Sequence, residues 1–163
     1  MASLDPEVWP IARRWKATGK ARGRYIGELS KALYEELGDR GIEIIGNIYD
    51  QMAQKSFLPG LKAFGIDGND AEAYATYFKL LWELMGYKVE VVELSGGRSV
   101  VRTHSCHLFE TPDPTAEEIC KRANFRFEER AVKLLNPDLR VRFTKLQSAG
   151  DPYCEMVVEL KQT

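Results

Sequence analysis

The spacing of the apolar residues changes near Gly86, and this change constrains the fold more than any other feature of the chain. Before it, residues 69–85 carry an apolar stripe at helical spacing, formed by Tyr74, Phe78, Leu81, Trp82 and Met85. After it, Tyr87, Val89 and Val91 alternate with Lys88 and Glu90, as in a half-buried strand. The sequence therefore predicts amphipathic helices and β-strands that share one core.

The remaining elements follow in an informative order. Helical spacing over residues 26–37 and 42–56 predicts two earlier helices, separated by Gly38. Turn residues at 95–98 and 149–152 predict two β-hairpins, and residues 115–135 between them predict a helix. We therefore expect an α+β fold in which N-terminal helices precede a hairpin, a long helix and a second hairpin. The two hairpins are expected to form one antiparallel sheet.

The length of 163 residues and the hydrophobic content of 44% suit one core, so we expect a single α+β domain over residues 26–163. Residues 1–25 are predicted to be a charged lead-in, a solvated helix that ends in a flexible joint. Six basic side chains fall there, and Gly19 and Gly23 interrupt them.

The charge balance excludes some partners. Twenty-three Lys and Arg residues against 24 Asp and Glu residues give a net charge of −1, which predicts no nucleic-acid binding. No apolar run has the length of a membrane span or of a signal peptide. We therefore expect a cytoplasmic protein with no membrane partner.

Residues 99–107 concentrate the candidate chemistry, since they hold both histidines and the first cysteine. If residues 99–106 are extended, Arg102, His104 and Cys106 point to the same face. Such a face predicts a nucleophilic Cys106, because a cation and an imidazole favour the thiolate.

The three cysteines, Cys106, Cys120 and Cys154, are each predicted to face the core near the end of an element, so we expect them to approach one another. Their odd number and wide spacing do not resemble a secreted disulfide framework. Three interpretations stay open. The thiolates, with His104 or His107, bind zinc or another transition metal; Cys106 acts as a nucleophile without a metal; or the three thiols are buried independently.

Several segments resemble the family of L-2-amino-thiazoline-4-carboxylic acid hydrolases over the last two thirds of the chain. They are residues 65–70 before a long helix, a hairpin that leads to Arg102 and Cys106, residues 118–120, residues 135–137 and residues 150–154. The ending Gly150-Asp151-Pro152-Tyr153-Cys154 is also similar to the vinyl-reductase-type ligand-binding domains, whose fold is shared with subunits of the vesicle-tethering transport particle. Leu146 stands where zinc-holding members of that second family have another cysteine.

The first resemblance implies hydrolysis of a C–N bond in a small carboxylate-bearing heterocycle. By their chemistry, Cys106 and His104 are the candidate catalytic residues, and Arg102 and His107 are the candidate substrate-binding residues. The second resemblance implies a small-molecule-binding sensory or cofactor-binding module without catalysis. A homodimer is also expected, because an open sheet and a broad aromatic helix leave apolar surface to cover.

Overall fold

A computed structural model describes residues 10–161. Within this range the chain forms five α-helices and four β-strands. Three helices come first: α1 (Ile11–Leu37), α2 (Asp39–Ala63) and α3 (Ala71–Leu84). A hairpin of β1 (Val89–Glu93) and β2 (Arg98–Thr103) follows. The chain continues through α4 (Pro114–Ile119) and α5 (Arg126–Leu135) to β3 (Leu139–Lys145) and β4 (Cys154–Leu160).

The two hairpins form one four-stranded sheet with the order β1-β2-β4-β3. Every neighbouring pair is antiparallel, and β2 and β4 join the hairpins through pairs such as Val101 with Met156. The predicted α+β fold is thereby confirmed. One face of the sheet packs on helices around buried Val101, Met156 and Val158. The other face carries ion pairs, among them Arg140 with Glu159.

Helix α1 runs without a break through the boundary that was predicted at residue 25. The joint expected at Gly19 and Gly23 is helical, and both glycines are buried. A Cβ atom on Gly23 would lie 2.6 Å from the Cβ of His107, so only glycine lets α1 approach this closely. Residues 1–9 of the predicted lead-in lie outside the described residues.

Several element ends differ from the prediction. Helix α2 continues through Pro59 to Ala63, and α3 is capped by Asp70, whose Oδ1 accepts a hydrogen bond from the Ala73 N–H at 2.9 Å. Strand β2 ends at Thr103, so Cys106 lies beyond it.

The long helix predicted over residues 115–135 is interrupted by a π-helical turn at Cys120–Asn124. The Phe125 N–H donates to the Cys120 carbonyl at 3.2 Å, a bond that spans five residues instead of four. One extra residue in a turn rotates the following helix by about 100° relative to an unbroken α-helix. The π turn therefore decides which side chains of α5 face the core.

Candidate functional site

An internal cavity of about 80 Å³ lies between α2, α3, the π turn and the helix-covered face of the sheet. Most of its wall is aromatic, formed by the rings of Tyr49, Phe78, Trp82, Tyr87, Phe125 and Phe143. Its remaining side chains include Thr103 at the end of β2, and Leu108. A mostly apolar wall with a few polar groups is typical of a small-molecule site.

The three cysteines line this one cavity. Cys106 comes from the loop after β2, Cys120 from the start of the π turn and Cys154 from the start of β4. All three are free thiols. The predicted approach of the three cysteines is therefore seen in the structure.

Burial makes these thiols poor acids. It raises the pKa of Cys154 to about 11 and that of Cys120 to about 12. Burial also raises the pKa of Cys106, against the hydrogen bond that its Sγ accepts from the Phe109 N–H at 3.3 Å. At neutral pH the cavity wall thus carries protonated thiols.

Arg102 and His104 lie on the other face of the sheet. The Arg102 Nε donates to Glu155 Oε2 at 2.8 Å, and His104 Nε2 lies 2.8 Å from Glu90 Oε2. The prediction that Arg102, His104 and Cys106 share one face is wrong, because β2 ends at Thr103 and Cys106 lines the cavity on the helix-covered side. Neither the guanidinium nor this imidazole activates the Cys106 thiol.

His107 is buried beside α1 and is not part of the cavity wall. Its ring stacks on Tyr87 with the centroids 4.1 Å apart, and its Nδ1 has no hydrogen-bond partner. Burial, followed by Lys20 and Lys16, lowers the pKa of His107. Substrate binding by His107, like the catalytic roles of Cys106 and His104, stays a prediction.

Three acceptor oxygens on cavity-lining residues have no partner: Glu128 Oε2, Asn124 Oδ1 and Gln147 Oε1. Glu128 is only 5% exposed and Asn124 8% exposed. Burial raises the pKa of Glu128 to about 8. A polar atom buried without a partner is costly, which makes these residues candidates for ligand contacts.

Sequence reasoning missed Glu128 because the pattern of residues 115–135 predicts an unbroken helix. In that geometry Glu128 falls on the flank of the face that contains Cys120. The π turn rotates it inward, so that Cys120, Asn124 and Glu128 line the cavity together. The sequence holds one signal for Glu128. Asn124 and Glu128 are polar residues four positions apart, and they lie next to the apolar face of the predicted helix.

A groove of about 250 Å³ lies on the surface outside the cavity. Phe125 and Phe143 belong to the walls of both, and their rings stack at 3.7 Å with an angle of 7° between the planes. We call these two residues the Phe125–Phe143 pair. Leu146, at the position of the missing family cysteine, lies in the groove wall with Lys121 and Arg142.

Within residues 10–161, no group of three or more His, Cys, Asp or Glu side chains is placed to hold a metal ion. Zinc or another transition metal on Cys106, Cys120 and Cys154 therefore stays a prediction, which metal analysis of the purified protein checks. In the same range, no helix is both long and apolar enough to cross a membrane.

Comparison with known proteins places the fold. No family model and no curated protein matches the sequence, so nothing supports the resemblance to the hydrolase family. Two solved structures are similar. A trafficking protein particle complex subunit 3 from Naegleria fowleri, covalently bound to palmitic acid, has a TM-score of 0.61 and 14% identity, over 90% of this chain and 97% of that chain.

The second structure is the phenol-responsive sensory domain of the transcription activator PoxR with phenol. Its TM-score is 0.61 and its identity 12%, over 85% of this chain and 74% of that chain. The chain shares the fold of these two proteins. The expected fold relation to transport-particle subunits is thereby confirmed, while identities this low say nothing of ligand or activity.

Proposed function

We propose that this protein is a small-molecule-binding domain whose ligand occupies the internal cavity. The observation that carries the proposal is a cavity wall of aromatic rings that also includes three residues with unpartnered buried oxygens. The two structural neighbours are described with palmitic acid and with phenol, so the same fold encloses small ligands in other proteins.

The geometry favours binding over hydrolysis. A hydrolase of the predicted kind needs a nucleophile or activated water next to an acid–base group and a cation for the carboxylate. Of the four residues assigned to these roles, only Cys106 lines the cavity, and burial raises its pKa. Arg102 and His104 instead pair with Glu155 and Glu90 on the outer face.

A titration with the neutral probes phenol and isobutanol, followed by protein NMR, tests the proposal. The cavity is smaller than the engineered cavities of about 150 Å³ that hold benzene, and both probes are about the size of benzene, so each requires some movement of partly exposed rings. We expect shift changes that cluster on Thr103, Cys120 and Cys154.

Cys120→Leu, which fills the cavity, should weaken binding of both probes by about tenfold or more. Val92→Leu is the control, since Val92 is 46% exposed on β1. Shift changes confined to the surface, or equal affinities for both variants, would contradict a ligand in the cavity.

A further inference from the structure

We propose that the cavity binds the amino group of a small apolar primary amine through the oxygens of Glu128, Asn124 and Gln147. This assignment names the ligand class for the proposed binding function and rests on that function. The polar groups of the lining residues select the head group of the ligand. The aromatic rings limit the size and polarity of the rest of it.

The two unpartnered amide oxygens are acceptors, and Glu128 becomes a third acceptor when its carboxyl group ionises. The Asn124 Nδ2 contacts Cys120 Sγ at 3.9 Å, and the Gln147 Nε2 donates to the Pro152 carbonyl at 3.4 Å. Both amide oxygens are thereby left without a partner, as is Glu128 Oε2. When Glu128 is ionised, a ligand that completes this site must donate hydrogen bonds and need not accept any.

The number of acceptors favours an ammonium group over a hydroxyl. An alkylammonium has three N–H donors and no acceptor, whereas an alcohol has one donor and leaves two of the three oxygens unsatisfied. Hydrogen bonds to a charged donor are also stronger than those between neutral groups.

The charges around Glu128 favour a cationic ligand as well. The titratable groups that face it are Tyr49 from α2, Tyr74 from α3 and Cys154 from β4, with Glu129 next to it in the chain. None of them is a cation, and within residues 10–161 no Lys, Arg or His side chain lines the cavity. A buried carboxylate requires a counter-charge, which an amine supplies.

Proton exchange gives the proposal a distinctive signature. Burial raises the pKa of the Glu128 carboxyl group to about 8, so it is mostly protonated at pH 7. An entering ammonium would pair with the carboxylate, and one proton would leave to solvent. Affinity for the amine should therefore rise by about tenfold per pH unit below pH 8 and then level off.

Isobutylamine and isobutanol form a matched probe pair, since they differ in the head group and share the same isobutyl body, which requires the same widening of a cavity of about 80 Å³ in both cases. Titrations of the full chain by protein NMR at pH 7 and pH 8 measure both affinities. At pH 8 we expect isobutylamine to bind about tenfold more tightly than isobutanol.

Glu128→Gln keeps the shape of the neutral acid and removes the charge. It should abolish the preference for isobutylamine and its pH dependence while leaving isobutanol binding unchanged. Glu129→Gln is the matched control, because Glu129 is the exposed neighbour, and it should behave like the unaltered protein. Glu128→Leu provides a second uncharged variant with the same expected result.

The outcomes separate the two proposals. Equal affinities for the two probes, or an amine preference that survives in both Glu128 variants, would overturn the amine assignment and leave the binding function standing. Failure of both probes to bind in the cavity would overturn the binding function itself, and the amine assignment with it.

Discussion

Glu128 couples the stability of the protein to pH. Its pKa is about 8 in the folded state, above the usual value of 4.5, so between these values the folded state binds more protons than the unfolded state. Stability should therefore be greatest near pH 5 and fall by up to about 1.4 kcal/mol per pH unit as the pH rises toward 8.

Urea unfolding at pH 5, 6, 7 and 8 measures this slope. Glu128→Gln should flatten the profile over this range, while Glu129→Gln should keep it. If the free energy of unfolding of Glu128→Gln depends on pH as steeply as that of the unaltered protein, another group is responsible for the pH dependence.

Cys106 should be the first thiol to react with iodoacetamide. Burial raises the pKa of all three thiols, and the largest shifts fall on Cys120 and Cys154, at about 12 and about 11. Because the thiolate is the nucleophile, its rate should rise by about tenfold per pH unit from pH 7 to pH 9. Peptide mapping by mass spectrometry identifies the order, and earlier labelling of Cys120 or Cys154 would contradict it.

Among the residues, those whose position depends on local pattern could be predicted, and those that depend on a turn could not. Alternation and helical spacing predicted that the three cysteines face the core, and they share one cavity. Whether Cys106 lies on the same face as Arg102 depends on where β2 ends. The alternation of residues 99–106 does not reveal that end. In the turn at residues 95–98, neither Gly96 nor Gly97 has a positive φ, and Gly96 instead packs closely on Asp70.

At the scale of elements, α1 depends on three glycines that bring its backbone against the loop after β2 and the end of α3. A Cβ on Gly27 would lie 1.9 Å from the Leu108 carbonyl oxygen, and that backbone atom has little freedom to move. Gly27→Ala should therefore destabilise the protein by about 1–3 kcal/mol, despite the higher helix propensity of alanine.

Denaturant unfolding measures this loss. Gly97→Ala is the control, since nothing lies within 4 Å of its Cβ position and its φ is not positive. Equal stabilities of the two variants would show that α1 is not held by this contact.

The stacked rings of the Phe125–Phe143 pair pack the start of α5 against β3. They lie between the surface groove and the cavity. Phe143→Ala should open this wall and speed alkylation of Cys106 and Cys154 by about tenfold at a fixed pH. Phe64→Ala is the control, because Phe64 is a partly buried ring that packs on Tyr77 and is not in the cavity wall. Equal alkylation rates in the two variants would indicate general loosening instead of a local opening.

Helices and strands with a strongly periodic sequence were predicted well. Burial of one face requires apolar residues at a spacing of about 3.6 in a helix and 2 in a strand. Tyr74 and Phe78 of the aromatic stripe on α3 are buried, and the two hairpins meet in one sheet as expected. The π turn could not be predicted, because Cys120–Asn124 contains no residue that forbids an ordinary α-helix. The orientation of Glu128, and with it the polar part of the cavity, followed from that turn.

At the scale of the whole molecule, the aromatic helix that suggested a dimer does not supply the surface for one. Tyr74 and Phe78 of α3 are only 1% and 4% exposed. Most of the exposed large apolar side chains of the described residues lie instead on α1 and α2, which pack on each other, and include Tyr25 at 67%, Ile48 at 51% and Met52 at 49%.

We expect this α1–α2 surface to be covered by a second copy of the chain, because removing apolar side chains of this size and number from water favours association. Light scattering on the purified protein should give twice the mass of the 18.5 kDa chain.

Ile48→Glu should shift the mass to that of the monomer by burying a charge in the interface. Leu94→Glu, at a residue 47% exposed after β1, is the matched control and should leave the dimer intact. A monomeric mass for the unaltered protein at concentrations near 100 μM would exclude a stable dimer, since interfaces of standard size associate well below that concentration.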